Sequence, residues 1–159
     1  MKILLNSSSL IKEIGSKNSK IGLIPTMGGL HEGHLSLVRK AKKQGLLTLV
    51  TIFVNPSQFN KKKDYQKYPR NIKKDLAILK KINPNYVFLP KFKDISKFRK
   101  NKTLKLNKFH KILCGKFRPG HFQGVLKIID IFLNLISPKY IFLGEKDYQQ
   151  LFLIKTFIK

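Results

Sequence analysis

Pro25-Thr-Met-Gly-Gly-Leu-His-Glu-Gly-His34 stands between a short apolar run, Ile21 to Ile24, and a helix-like run that begins near Leu35. The order reads as strand, glycine-rich turn, helix N-terminus. Gly28, Gly29 and Gly33 let the backbone turn tightly and approach a ligand closely. Unpaired N–H groups at a helix start, with the positive end of its dipole, favour a bound anion. His31 and His34 are three residues apart, so both can face that anion if the turn runs into the helix. A neutral imidazole donates a hydrogen bond and a protonated one also neutralises charge, so a phosphate fits. The plainer alternative is a turn carrying two surface histidines.

Outward from this turn, Ile21–Pro25 is a continuous apolar strand, as expected where both sheet faces are covered. Leu35–Gln44 has helical periodicity, with Leu35, Val38 and Ala41 as its inner stripe and Gly45 ending it. Leu46–Val54, rich in β-branched residues, is a second buried strand. Strand, helix, strand at this spacing predicts a βαβ unit in an α/β protein with a parallel sheet. Phe53-Val-Asn-Pro-Ser-Gln-Phe59 then falls at the C-terminal end of the second strand, the edge where open α/β sheets bind ligands. Asn55 and Gln58 are placed there to hydrogen-bond a polar substrate; a proline-containing turn satisfied by its own Asn and Gln is the alternative.

The flanking sequence supplies more elements of the same kind. Lys2–Leu5 predicts a short strand, followed by a helix capped around Ser7–Ser9 and ending near Gly15. Asn60–Lys67 reads as a polar loop and Asn71–Lys81 as a helix with Ile72, Leu76 and Leu79 inward. Tyr86–Leu89 is a third short strand. Lys91–Lys102 is basic and irregular, with room for a short helix; Thr103–Asn107 suggests a minor strand and Lys108–Leu113 a helical turn or two. Gly115-Lys-Phe-Arg-Pro-Gly-His-Phe-Gln-Gly124 opens a long helix to about Ile136, whose apolar stripe is core. Tyr140–Leu143 predicts a further buried strand, and Gly144-Glu-Lys-Asp-Tyr-Gln-Gln150 follows its C-terminal end. Lys146, at that strand–helix junction, reaches a phosphate as a point charge. Gln149 and Gln150 occupy adjacent helical positions, so one should face the site while the other packs or meets solvent.

At 159 residues the chain suffices for one domain with a real core. Met1–Leu5 is too short an apolar run for a signal-peptide core, and no run approaches the roughly 20 residues that span a bilayer. Cys114 is the sole cysteine, which excludes an internal disulfide and fits a reducing cytosol. The net charge of +25 could point to nucleic acid or a membrane surface. Yet only four of the 33 basic residues are arginine, the residue that bidentate base and phosphate readers favour. Most of the lysine is therefore read as solvated surface that attracts small anions without specificity.

The segments Met27–His34, Phe53–Phe59, Tyr68-Pro-Arg70, Leu113-Cys-Gly115, Arg118-Pro-Gly-His-Phe122 and Gly144–Gln150, in this order and spacing, resemble the pantothenate synthetases, members of the nucleotidyl-transferase group with an HxGH signature. The resemblance implies a Rossmann-like doubly wound parallel sheet with flanking helices. It implies ATP-dependent, AMP-forming ligation of pantoate to β-alanine through pantoyl adenylate, with Mg²⁺, in the cytoplasm and as a homodimer. It places ATP on Met27, Gly28, Gly29, Leu30, His31, Glu32, Gly33 and His34, and on Gly144, Glu145, Lys146 and Asp147. His34 takes a proton-donor role supported by His31, with Lys146 as a further phosphate donor. Gln58 contacts pantoate and β-alanine, Gln150 contacts pantoate, and Asn55 joins the substrate loop. The metal ligands stay unassigned.

The family's chains continue into a smaller lid domain that helps hold the ATP phosphates. The expectation is therefore that residues 1–159 are the N-terminal nucleotide-binding domain, from a fragment or a shortened gene product. Two other readings compete: a remnant that binds nucleotide without turnover, and a basic nucleic-acid-binding module. The latter predicts salt-steep binding to duplex or RNA and leaves the histidine–glycine turn without a role.

Overall fold

A computed structural model of the chain describes residues 1–99, 106 and 108–158. The strands are β1 (Lys2–Leu4), β2 (Ile21–Thr26), β3 (Leu47–Ile52), β4 (Tyr86–Phe88) and β5 (Tyr140–Ile141). The helices are α1 (Ser7–Ile14), α2 (Glu32–Lys43), α3 (Lys62–Lys67), α4 (Ile72–Ile82), α5 (Phe92–Ile95), α6 (Cys114–Phe117), α7 (His121–Ile136) and α8 (Tyr148–Ile158). All strand pairs are parallel, in the order β1-β4-β3-β2-β5. The chain steps from β2 to β3 to β4 in one direction and then returns to place β5 on the other side of β2. The sheet's switch point therefore lies between β2 and β5, where ligands of such sheets bind.

Alternation along the strands sorts the core into two layers. Ile21, Leu23, Leu49, Tyr86 and Phe88 pack with Leu10 and Ile14 of α1 and with Ile128, Phe132 and Ile136 of α7. Ile24, Val50, Ile52 and Val87 pack with Val38 and Ala41 of α2 and Leu79 of α4. Helices thus cover both faces, as the doubly wound reading requires. α8 closes over the other side of α7, through Ile154 against Val125, Leu126 and Ile129.

Several elements differ from expectation. α1 is capped by Asn6, one residue before the expected serines: its Oδ1 accepts from the Ser9 N–H at 2.8 Å, and Ser9 Oγ accepts from the Asn6 N–H to complete a capping box. α2 begins at Glu32, three residues before the apolar stripe, because His31 caps it. Residues 62–67 form α3, not a loop. Arg70 ends that helix by donating to the Tyr65 carbonyl at 2.7 Å while its guanidinium lies 4.5 Å from the Tyr65 ring centre. In α4 Ile72 is exposed, and the inward row is Asp75 and Leu79. β5 is not a buried strand of four residues. It is a two-residue edge strand with Tyr140 half exposed.

The brevity of β5 has a cause in β2. The Ile21 and Leu23 carbonyls accept from Lys139 and Phe142, so odd-numbered residues of β2 turn their backbone toward β5. Pro25 is next in that series and has no N–H to give, so the ladder stops and the sheet opens. The minor strand expected at 103–107 lies largely outside the described residues.

Candidate active site

The opening beyond Pro25 is a cleft of about 440 Å³ at the C-terminal edge of the sheet. The turn after β2 forms one wall with Met27, Gly28, Gly29, His31, Gly33 and His34. Gln58 enters from the turn after β3, and Lys146, Asp147 and Gln150 enter from the segment after β5. The floor is apolar, built from Val125, Ile129 and Phe132 of α7, Leu143 and Ile154, and Tyr68 with Pro69 stands at the side. Three loops far apart in sequence meet here, as read from the sequence.

The histidine–glycine turn is built differently from the expected amide cradle. Gly28 and Gly29 have φ of +82° and +62°, which only glycine adopts at little cost. Their N–H groups do not point freely into solution. The Gly28 N–H donates to Thr26 Oγ1 at 3.3 Å. The N–H groups of Gly29 and Leu30 donate to the two oxygens of Asp75, at 3.1 and 2.8 Å. The Gly33 N–H donates to His31 Nδ1 at 3.1 Å. The turn's amides are therefore largely consumed within the protein. The groups left facing the cleft are side chains.

Those side chains are close together. The His31 and His34 rings have centroids 4.2 Å apart. His31 accepts at Nδ1, so in its neutral form the proton is on Nε2. His34 is half-buried, and burial pushes its pKa below the usual imidazole range, with the neighbouring His31 acting in the same direction. The carboxylates of Asp75 and Asp147 oppose that shift in part. At neutral pH His34 is therefore a neutral imidazole that donates one hydrogen bond. Its Nδ1 is covered and has no hydrogen-bond partner among the described residues. Lys146 is 85% exposed at its side chain, with Asp147 Oδ1 at 3.4 Å.

Other sequence-predicted residues lie elsewhere. Leu30 is buried in the core between the sheet and α2. Glu32 is exposed and paired with Arg39. Gly144 does not line the cleft, and Glu145 lines a neighbouring groove between α2 and α8. Asn55 is 3% exposed, and both ends of its side-chain amide are engaged. Its Nδ2 donates to the Gly124 carbonyl at 2.9 Å, and its Oδ1 accepts from the Ser57 N–H and hydroxyl at 3.2 and 2.9 Å. Asn55 shapes the turn that presents Gln58 and does not reach the cleft itself. The adjacent glutamines divide as anticipated: Gln150 lines the cleft, while Gln149 donates from Nε2 to the carbonyls of Phe109 and Ile112, both at 2.8 Å.

Sequence reasoning gave no role to Asp75, His121 or Tyr68. His121 is buried and its Nδ1–H donates to the Gln58 carbonyl at 2.8 Å. Burial pushes its pKa down and that hydrogen bond pulls it partly back. Tyr68 has its pKa raised, by burial first and by Asp75 second. The available signal for Asp75 was an acidic residue four positions before Leu79 on the inner face of α4.

The sequence profile described as pantoate-beta-alanine ligase matches residues 3–159. The chain belongs to the pantoate–β-alanine ligase family. It is 44% identical over 154 residues to a pantothenate synthetase of Francisella philomiragia, covering 95% of this chain and 58% of that protein. It is 38% identical over 162 residues to the pantothenate synthetase of a Sulfurihydrogenibium species, covering 58% of that protein. Among solved structures it matches the Francisella tularensis pantoate–β-alanine ligase complexed with β-γ ATP and β-alanine. There the TM-score is 0.90 and the identity 41%, over 99% of this chain and 62% of that one. The pantothenate synthetase of Thermus thermophilus also matches, with TM-score 0.90 and 31% identity over 57% of its chain. This chain thus spans somewhat more than half the length of the relatives it matches.

Proposed function

We propose that this chain is the N-terminal, nucleotide-binding Rossmann-like part of a cytoplasmic pantothenate synthetase, which condenses (R)-pantoate with β-alanine at the expense of ATP. The observation that carries the reading is the convergence of His34, Gln58, Lys146 and Gln150 on one cleft at the sheet's switch point. In the first step a pantoate carboxylate oxygen attacks the α-phosphorus of ATP. The bond to the bridging oxygen breaks, and pyrophosphate leaves with the electron pair. In the second, the β-alanine amine attacks the acyl carbon of pantoyl adenylate, AMP leaves, and the amine loses a proton.

The residues divide this work by chemistry. His31, His34 and Lys146 donate to phosphoryl oxygens as charge builds on them. Gln58 and Gln150 each offer a donor and an acceptor, which suits the hydroxyls and carboxylate of pantoate. The apolar floor of α7 receives its gem-dimethyl carbon. Mg²⁺ belongs to the same reading. No group of three histidine, cysteine or acidic side chains among the described residues could cage a metal. Mg²⁺ is commonly held by one or two carboxylates plus substrate phosphates. Asp147 lines the cleft, and its carboxylate would hold the ion there. When bound, the ion neutralises phosphate charge.

The test is AMP release by the 159-residue chain. Release that requires ATP, pantoate and β-alanine together supports the ligase; ATP binding without release leaves a nucleotide-binding unit. Sedimentation tests the accompanying homodimer.

A further inference from the structure

The buried carboxylate beneath the histidine–glycine turn has no place in the chemistry above. Asp75 is 4% exposed and lies on the inner face of α4. Its oxygens take the Gly29 and Leu30 N–H groups, and a Cβ on Gly28 would stand 2.8 Å from Oδ2. Three consecutive residues thus wrap one anionic group. A buried carboxylate is costly unless its lone pairs are satisfied, and backbone N–H groups do that well. α4 is itself held at both ends. Asn71 caps it by accepting from the Lys74 N–H at 3.0 Å, and Leu79 is in the core. Asn83, in the left-handed region at its C-terminus, accepts from the chain's first amino group at 2.9 Å.

We infer that Asp75 is a positioning residue for the nucleotide site: its carboxylate fills the amide nest of the Gly-Gly turn and so fixes the backbone from which His31 and His34 project. The inference rests on the pantothenate synthetase reading only for the nature of the ligand. A phosphate cannot use the two amides that Asp75 holds, so the protein's own anion turns an amide-type anion site into one run by imidazole and ammonium donors. The same charge acts on His34, whose other charged neighbours are His31, Lys146 and Asp147, and on Tyr68 across the cleft.

The experiment compares the 159-residue chain with Asp75→Asn and with Asn71→Ala, which removes the helix cap without touching the turn. Asparagine keeps the volume but aims an NH₂ at one of the two N–H donors. In Asp75→Asn, amide exchange at Gly29 and Leu30 should quicken at least tenfold while Val50 is unchanged. The His34 titration followed by NMR should move lower still, and calorimetry should show ATP bound at least tenfold more weakly. Asn71→Ala should reproduce none of these. Should Asp75→Asn not fold, Asp75→Glu, which displaces the carboxylate by one methylene, must show the same change in exchange and ATP affinity. Unaltered exchange and ATP affinity in the Asp75 variant, or equal effects from Asn71→Ala, overturn the inference. If the unsubstituted chain binds no ATP, the nucleotide reading fails separately, and exchange with the His34 titration still decides the role of Asp75.

Discussion

His121 Nδ1 lies 2.8 Å from the carbonyl oxygen of Gln58, in a buried contact that ties the first turn of α7 to the turn after β3. A second tie runs the other way, from Asn55 Nδ2 to the Gly124 carbonyl. The two segments approach so closely that a Cβ on Gly124 would stand 2.1 Å from the Ser57 carbonyl oxygen. Gln58 is thus presented by a clamp on α7. His121→Phe keeps a ring but leaves that carbonyl buried and unpaired, which costs about 1–3 kcal/mol. Urea unfolding should show a lower midpoint with an unchanged slope, and an unshifted midpoint would show that the tether carries no stability.

Two imidazoles, His34 half-buried and His121 buried, make the fold acid-sensitive. The pKa values of His34 and His121 are lowered, by burial first in each case. Below the ordinary histidine pKa of roughly 6.5 the unfolded chain therefore binds protons before the folded one does. Their contribution is fully present above that value and is lost as pH falls through the folded pKa values. Stability should be flat from about pH 8 to 7 and decline below about 6.5, before most carboxylates titrate. His34→Gln with His121→Gln should flatten the decline between about pH 6.5 and 5. Denaturation midpoints measured across that range check it; a slope retained by the double variant would assign the effect to other groups.

How much of this was legible beforehand depends on what each residue does. The parallel sheet was legible because β2, β3 and α2 carry uninterrupted periodicity. The convergence of Met27–His34, Gln58 and Lys146 was legible because each follows a strand end. Asp75 escaped, because a pattern search that counts apolar residues gives the inner face of α4 to Ile72, Leu76 and Leu79, and the residue that orients the helix is charged. Asn55 was misread because an asparagine in a proline turn can face outward or clamp the chain, and only the nearness of Gly124, 69 residues on, shows which. The brevity of β5 depends on where Pro25 turns its missing N–H, which strand composition does not reveal.

The two glycines of the turn differ in a way that separates strain from clash. At Gly29 (φ +62°) a Cβ would meet nothing within 4 Å, whereas at Gly28 (φ +82°) it would meet Asp75 Oδ2 at 2.8 Å. Gly29→Ala should cost only the left-handed conformation, about 1–2 kcal/mol. Gly28→Ala should cost that and displace the carboxylate too. Chemical denaturation of the two variants should rank Gly28→Ala as clearly more destabilised, and equal losses would mean that α4 gives way freely.

His34 is the donor nearest the heart of the proposed chemistry. Removing one preorganised donor to a developing charge costs roughly 3 kcal/mol, about a hundredfold in rate. His34→Ala should therefore slow pantoyl adenylate formation by that order while weakening ATP binding only modestly. Rapid-quench measurement of the adenylate checks it, and an unchanged rate would remove His34 from the step.

Lys146 must be distinguished from 28 other lysines in a chain of net charge +25. Its side chain is 85% exposed, and its ion pair with Asp147 is a surface contact. Lys146→Gln should consequently change stability by less than about 0.5 kcal/mol. Lys155, in α8, lines the groove between α2 and α8 and not the cleft, and is the matched control. If the lysines merely supply a diffuse field, the two substitutions should weaken ATP binding equally, and added salt should erase both effects. If Lys146 touches the polyphosphate, Lys146→Gln should weaken ATP about tenfold or more, Lys155→Gln hardly at all, and the difference should persist at about 0.5 M salt. Calorimetric titration of both variants at low and high salt distinguishes a directed contact from the background charge.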